Sequence, residues 1–117
     1  MTKNYRINYS ADALGDLREI YNYIANEILA PENAAAQVKR IRKKARSLTN
    51  MPERYVLVEW EPWHSMEVHK LPVDNFIIYY QVKDEENVVS VIRVFYGGRD
   101  IKNIVKGISR LDYGYFV

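Results

Sequence analysis

Two apolar stripes in the first half of the chain limit the folds that it can adopt. In the first stripe, apolar residues recur every three or four positions from Ala11 to Leu29, which is the spacing of one helix face. Ser10 precedes this stripe as a candidate N-cap. The second stripe follows Pro31, a residue suited to a first helical turn, and extends to Leu48. Because few residues separate the stripes, we expect an antiparallel pair of helices.

Strand-like segments lie on both sides of this helix pair. A short alternating segment precedes the helices, and three longer apolar runs follow them, separated by gaps rich in turn-forming residues. These runs predict an antiparallel β-meander. The four candidate strands are Tyr5–Tyr9, Val68–Val73, Phe76–Val82 and Val88–Tyr96.

The order of these elements predicts an α+β fold with a single domain over residues 1–117. An N-terminal strand, an antiparallel two-helix hairpin and the β-meander would form it, with both helices packed on one sheet face. The other face is expected to be partly open. We expect residues 102–117 to form a short helix and a tail, and residues 55–60 to form a short strand.

Composition excludes several functional classes. The chain has no cysteine, so it has neither a disulfide framework nor a thiolate site. The two histidines do not have the spacing of metal ligands, so we expect no metal site. The sequence contains no glycine-rich phosphate-binding loop, so we expect no cofactor. No apolar run approaches the ~20 residues of a membrane span, and the N-terminus has no signal-like apolar stretch. The expected location is therefore the cytoplasm.

The end of the last strand carries the most informative functional signal. Gly97 and Gly98 allow a sharp bend, and Arg99 and Asp100 follow immediately. An arginine at such an elbow can fork onto a phosphate or a carboxylate of a partner. Alternatively, Arg99 pairs with Asp100 and closes the turn.

Arg93 interrupts an otherwise apolar row that strand alternation assigns to Val89, Val91 and Phe95. One interpretation is a guanidinium that the open face presents to phosphate. The other is an arginine paired with an acidic neighbour in the sheet, such as Glu67, because half-buried arginines usually have such a partner.

His69 also has two interpretations. With Glu67 two residues earlier on the same predicted strand face, it could act in acid–base chemistry near neutral pH. The less specific alternative is a strand histidine that faces solvent.

A run of six basic residues from Lys39 to Arg46 contains no acidic residue. It is either a solvated face of the second helix or a surface that attracts RNA, DNA or an acidic peptide.

As a whole, the chain resembles toxins of the RelE/ParE superfamily over about residues 5–105. The resemblance rests on the order and spacing of three segments, and the last reads Val-Ile-Arg-Val-Phe-Tyr-Gly-Gly-Arg-Asp-Ile. The segments are Tyr5–Ile24, Leu71–Val82 and Val91–Ile101. This resemblance implies the toxin of a bacterial type II toxin–antitoxin system, a cognate antitoxin that wraps over it, and a hetero-oligomer of the two.

The superfamily offers two modes of action. RelE-like toxins cut messenger RNA on the ribosome, whereas ParE-like toxins poison DNA gyrase. RelE-like members usually carry an arginine at the position of Ile77, so the resemblance favours the ParE-like mode. The alternative is a RelE-like ribonuclease, and a second alternative is an inactive member that serves as a binding or regulatory module. In the RelE-like case the predicted catalytic residues are Arg99, Tyr96, Arg93 and His69. The predicted target-binding residues are Arg99, Lys102, Lys70, Lys39, Arg42, Lys43 and Arg46.

Overall fold

In the computed structural model, which describes residues 3–99 together with Ile101 and Val105, one four-stranded sheet carries two α-helices. The order in the sheet is first strand, fourth, third, second. The first strand pairs in parallel with the fourth, and the other pairs are antiparallel. The main elements are β1 (Arg6–Tyr9), α1 (Ala11–Asn22), α2 (Pro31–Arg46), β2 (His69–Val73), β3 (Phe76–Lys83) and β4 (Val88–Tyr96). The predicted α+β class, helix hairpin and meander are confirmed.

The helix hairpin follows the local sequence signals. The Ser10 hydroxyl caps α1 by accepting a hydrogen bond from the Ala13 amide at 2.9 Å. Pro31 begins α2, as predicted. The helix predicted to run to about Leu29 is helical as far as Glu27, but α1 ends at Asn22 and the residues Tyr23–Glu27 form a π-helical turn. A π-helical turn widens the helix locally, and such turns are frequent at functional sites.

The main core lies between the helices and one face of the sheet. Both helices contribute buried aliphatic side chains, which pack on buried residues of the three meander strands. This confirms that both helices cover the same sheet face. Representative members are Leu17, Ile20, Ile41, Leu71, Ile78, Tyr80 and Val91.

The other sheet face is partly open, as predicted. A second apolar cluster, formed by Val58, Trp63 and Val68 on Tyr79 and Phe95, covers part of it, whereas Arg6, Asn8 and Pro72 on the same face are exposed. The segment before β2 supplies this cover because it folds back, with the Val58 amide donating to the Val68 carbonyl at 2.8 Å. The expected strand over residues 55–60 is reduced to a single bridge between Leu57 and His69.

Ile101 and Val105 have helical backbone and are buried in the second cluster. They are four positions apart, so they share one helix face. The rest of the predicted C-terminal helix, Lys102 and the 112–117 tail lie outside the described residues. Within the described part of the chain, no helix is long and apolar enough to cross a membrane.

A β-bulge in β4 changes which side chains face the helices. Tyr79 pairs with Arg93 but Tyr80 pairs with Val91, so Ile92 is the extra residue. One extra residue reverses the alternation beyond it. Val91 and Val94 therefore both belong to the core beneath the helices, whereas simple alternation had placed them on opposite faces.

Candidate functional site

The edge of β4 begins beneath α1. β1 covers β4 only as far as Val91, and there the chain leaves the sheet at Ser10 and enters α1. Side chains of this turn and of α1 then form hydrogen bonds with backbone groups of β4 that β1 leaves unpaired. The Ser10 hydroxyl donates to the Ile92 carbonyl at 2.8 Å, and the Asp16 carboxylate accepts from the Val94 amide at 2.9 Å. The first part of this edge is therefore closed.

Asp16 also holds Arg93 through two hydrogen bonds. The Nε and Nη2 atoms of Arg93 donate to the two carboxylate oxygens of Asp16 at 2.8 and 2.9 Å. Asp16 is only 5% exposed, and its hydrogen bond to Arg93 raises the pKa of that guanidinium. The prediction that Glu67 pairs with Arg93 is wrong. Glu67 lies in an exposed turn before β2, with a positive φ of 56°. Arg93 is therefore tied to α1, with its fork filled by a carboxylate.

A groove of about 650 Å³ continues along the edge beyond Asp16. It lies between the end of α1 with its π-helical turn and the end of β4. Most of its walls are apolar, and Tyr23 and Ile28 enter it from the π-helical turn and the residue after it. The lining residues are Asp16, Glu19, Ile20, Tyr23, Ile28, Phe76, Val94, Phe95, Tyr96 and Arg99.

Arg99 is the basic residue at the open end of this groove. Its guanidinium carbon lies 5.1 Å from the centre of the Phe95 ring, and that of Arg93 lies 4.4 Å from the same ring. Arg99 is exposed, and no carboxylate of the described residues pairs with it. An exposed guanidinium beside apolar walls can bind a carboxylate or a phosphate of a partner.

The Gly97–Gly98 elbow orients Tyr96 and Arg99. The Arg99 amide donates to the Tyr96 carbonyl at 3.1 Å and closes the turn. Among the described residues no glycine has a positive φ. Gly97 and Gly98 are therefore not required here for backbone angles that only glycine adopts easily. A Cβ atom on Gly98 would instead lie 2.5 Å from Cε2 of Tyr96, so the glycine makes room for this ring. Tyr96 is 51% exposed and packs edge-on against Phe76.

His69 lies away from this groove. It is only 9% exposed, so the expectation of a solvent-facing histidine is wrong. Its ring stacks on Tyr80 at 5.0 Å, and its Nδ1 lies 2.7 Å from the Tyr55 carbonyl. A carbonyl only accepts, so Nδ1 carries the proton. Lys70 is half-buried and pairs with Tyr79, which places it on the opposite sheet face from His69.

The predicted basic surface is present on α2. Lys39, Arg42, Lys43 and Arg46 are exposed and occupy a stripe about 100° wide, because successive residues are rotated by about 100°. Arg40 lies outside this stripe and is paired with Asp74 at 2.8 Å. The structure thus separates two groups of candidate residues, with Arg93, Tyr96 and Arg99 at the end of β4 and the basic stripe on α2. Their functional roles stay predictions.

Sequence reasoning missed the residues that shape the groove. Asp16 interrupts the apolar stripe between Ala13, Leu17 and Ile20, and a charge at a stripe position is a signal for a buried pair. No comparable signal marks Tyr23 and Ile28, because the π-helical turn that directs them has no clear sequence pattern. Within residues 3–99 no cluster of three or more His, Asp or Glu side chains could hold a metal ion.

The fold is similar to that of solved toxin structures. A ParDE toxin–antitoxin structure from P. aeruginosa aligns with a TM-score of 0.66 at 20% identity, covering 80% of this chain and 97% of that one. An E. coli RelE variant in the free state aligns with a TM-score of 0.59 at 17% identity, covering 92% and 98%. The RelBE2 toxin–antitoxin complex of Mycobacterium tuberculosis aligns with a TM-score of 0.57 at 20% identity, covering 80% and 91%.

These likenesses show that the chain shares its fold with ParE and RelE toxin structures. The family model described as the ParE toxin of the type II toxin–antitoxin system, parDE, matches residues 7–101. The chain therefore belongs to the ParE toxin family, and it is the toxin component of a toxin–antitoxin system. None of the curated proteins compared with the chain matches it.

Proposed function

We propose that this toxin arrests growth in the ParE-like manner, by acting on DNA gyrase rather than by cutting messenger RNA, and that a cognate antitoxin neutralises it. The observation that carries this proposal is the separation of the candidate acid–base group from the candidate phosphate-binding groups. Metal-free RNA cleavage requires a base for the 2′-hydroxyl, an acid for the leaving oxygen and cations at the phosphate, all within reach of one substrate.

His69 and Tyr96 do not meet this requirement. Tyr96 is level in the sheet with Val73, which is four residues along β2 from His69. The two residues are thus about 13 Å apart along the strands and about 10 Å apart across them. His69 is also buried against Tyr80. It therefore supports the core rather than a reaction at the groove.

Arg93 argues in the same direction. Asp16 occupies its Nε and Nη2 side and compensates its charge, so Arg93 offers a phosphate a weaker site than an unpaired arginine does. The position favoured for an arginine in RelE-like toxins is Ile77, which packs against the second cluster. Arg99 remains as the exposed guanidinium of this site, and one cation beside apolar walls suits contact with a protein target better than RNA cleavage.

Controlled expression of the chain in growing bacteria tests the proposal. We expect growth arrest with intact translated messages and with accumulation of cleaved DNA–gyrase complexes. Arg99→Ala should relieve the arrest, whereas Arg18→Ala, which removes an exposed arginine of α1 outside the groove, should not. Co-expression of the antitoxin gene beside the toxin gene should restore growth.

Two results would contradict the proposal. Codon-linked cuts in messages, mapped by primer extension, would assign the chain to the ribonuclease mode. Unchanged growth at a confirmed level of folded protein would assign it to the inactive, regulatory class.

A further inference from the structure

The basic stripe of α2 is a line of exposed cations on one side of the helix, formed by Lys39, Arg42, Lys43 and Arg46. The stripe is about 10 Å long, because each residue adds about 1.5 Å along the helix axis. No member of the stripe pairs with a carboxylate among the described residues, whereas Arg40, outside the stripe, is paired with Asp74. The charge of the stripe is therefore available to a ligand.

The stability of α2 does not explain the whole stripe. Cations in the last turn of a helix stabilise its dipole, and this effect falls off within that turn. Lys43 and Arg46 lie in the last turn of α2, whereas Lys39 and Arg42 lie before it. Lys39 and Arg42 therefore extend the positive surface beyond the part that stabilises the helix end.

Tyr9 of β1 supports the middle of the stripe. The guanidinium carbon of Arg42 lies 4.8 Å from the centre of the Tyr9 ring. Burial raises the pKa of the Tyr9 phenol, and the nearby charges of Arg42 and Arg46 oppose this shift. A guanidinium that stacks on a ring keeps the N–H groups at its edge free to donate. The ring thus restricts Arg42 without using its hydrogen-bond donors.

The surface of α2 lacks the apolar anchors of a protein-binding surface. In the described part of the chain, the exposed large apolar side chains lie on α1, in loops and turns, and at the end of β4, and none lies on α2. Protein–protein interfaces depend on aromatic or apolar anchors at their centre, whereas protein–DNA interfaces are more polar and much more positive. The stripe therefore suits a nucleic acid better than an acidic protein.

Among nucleic acids, the stripe fits a double-stranded backbone. Sites for single strands combine cations with exposed aromatic rings on which the bases stack. The ring beside the stripe, that of Tyr9, is half-buried and already carries Arg42. The bases of a duplex stack on one another, and B-DNA presents one phosphate charge for about every 1.7 Å of its axis. A line of cations about 10 Å long can therefore meet several phosphates at once.

We propose that the basic stripe binds the phosphate backbone of duplex DNA independently of sequence, and that the toxin in this way contacts the DNA that gyrase holds. The inference rests on the proposed function in naming gyrase-bound DNA as the ligand. The groove with Arg99 lies at the end of α1, whereas the stripe lies toward the end of α2, at the opposite end of the antiparallel hairpin. The protein target and the DNA can therefore be bound together.

The binding test uses the full-length chain and a fluorescent duplex of twenty base pairs, with fluorescence anisotropy as the readout. Contact of all four cations with phosphates predicts a slope of about −3.6 for the logarithm of affinity against the logarithm of salt concentration. A fourfold rise in salt concentration should therefore weaken binding by about 150-fold. A second duplex of unrelated sequence should bind with the same affinity, because phosphate contacts carry no sequence information.

Two double variants with the same net charge separate the stripe from the overall charge. Lys39→Gln with Lys43→Gln should weaken duplex binding at least tenfold and reduce the size of the slope by about 1.8. Lys44→Gln with Lys83→Gln removes two exposed charges outside the stripe and should weaken binding by no more than about threefold. With purified gyrase and plasmid, the stripe variant should require at least five times more protein than this control to accumulate the same amount of cleaved complex.

Three outcomes of the binding test would overturn the inference: no binding to the duplex, equal losses in the two double variants, or tighter binding to a peptide of ten glutamates or to single-stranded RNA than to the duplex. Equal potency of the two double variants toward gyrase would contradict the contact with gyrase-bound DNA. A chain that poisons gyrase but does not bind the duplex contradicts only this inference. A chain that binds the duplex through the stripe but leaves gyrase unaffected contradicts the proposed function.

Discussion

The edge of β4 has a closed part beneath α1 and an open part at the groove. Each part contains one arginine, and both arginines contact the same aromatic ring but differ in their partners. Arg93 and Arg99 lie 4.4 and 5.1 Å from the centre of the Phe95 ring. Arg93 is held by the buried Asp16, whereas Arg99 is exposed and has no carboxylate partner among the described residues. A buried acid on the neighbouring helix, rather than the arginine itself, decides which of the two supports the fold.

The difference follows from where α1 crosses the edge. The Asp16 carboxylate accepts three hydrogen bonds, one from the Val94 amide and two from the Arg93 guanidinium. Beyond this point α1 diverges into the π-helical turn, and the groove opens between that turn and Tyr96. Arg93 should therefore contribute to stability, and Arg99 should contribute to recognition.

The largest expected effect is that of Asp16→Ala. The change leaves Arg93 half-buried without a counter-charge and leaves the Val94 amide without an acceptor. Removing one partner of a buried ion pair costs about 3–5 kcal/mol, so we expect a loss of that order in the free energy of unfolding in urea. Asp12→Ala, which removes an exposed carboxylate in the first turn of α1, should cost less than about 1 kcal/mol. Equal losses for the two variants would contradict the role assigned to Asp16.

A double variant tests whether the pair acts as a unit. Asp16→Leu alone leaves the Arg93 charge unpaired, whereas Asp16→Leu combined with Arg93→Met removes both charges and keeps similar volume. We expect the double variant to be more stable than Asp16→Leu alone by at least about 1 kcal/mol, because no uncompensated charge remains. Additive losses in a double-mutant cycle would show that the two side chains act independently.

The elements of this comparison differ in how far the sequence predicts them. The strand that carries both arginines and the helix that carries Asp16 follow from apolar periodicity, which reports burial along one element. The pairing of Arg93 with Asp16 joins residues 77 positions apart, and periodicity carries no information about such contacts. For this reason the sequence led to Glu67 as the partner.

The groove and the apolar cluster on the second sheet face were missed for related reasons. Residues 57–68 have no period, yet they place Val58, Trp63 and Val68 on the second face. The bulge at Ile92 reverses the facing of the last residues of β4, and it is visible only in the pairing with β3. Tertiary packing determines both features, so single-sequence patterns could predict the elements but not this part of the site.

Alanine at each arginine position sharpens the comparison. Arg93→Ala should lower the free energy of unfolding by about 2–4 kcal/mol, because Asp16 stays buried without its cation. Arg99→Ala removes an exposed side chain and should change stability by no more than about 0.5 kcal/mol. Urea unfolding of both variants measures the contrast. If Arg99→Ala destabilises the protein as much as Arg93→Ala does, Arg99 belongs to the folded framework and its assignment to recognition is wrong.

The smallest expected effect concerns the tyrosine that packs beneath the shared ring. Tyr79 lies 6.2 Å from Phe95, and burial raises the pKa of its phenol to about 12. The unfolded chain ionises near the ordinary value of about 10, so the folded state favours the neutral phenol. Its contribution to stability is therefore complete below about pH 10 and is lost as the pH rises from about 10 to about 12.

Tyr79→Phe removes this contribution. Between about pH 9 and about pH 11, we expect the variant to lose less of its free energy of unfolding than the unchanged chain, by no more than about 1 kcal/mol. Part of the alkaline loss should persist, because burial also raises the pKa of Tyr80. Tyr21→Phe, which removes a hydroxyl at an exposed position of α1, is the matched control. If Tyr79→Phe does not differ from this control, water reaches the Tyr79 phenol, and burial of this phenol does not contribute to the alkaline loss of stability.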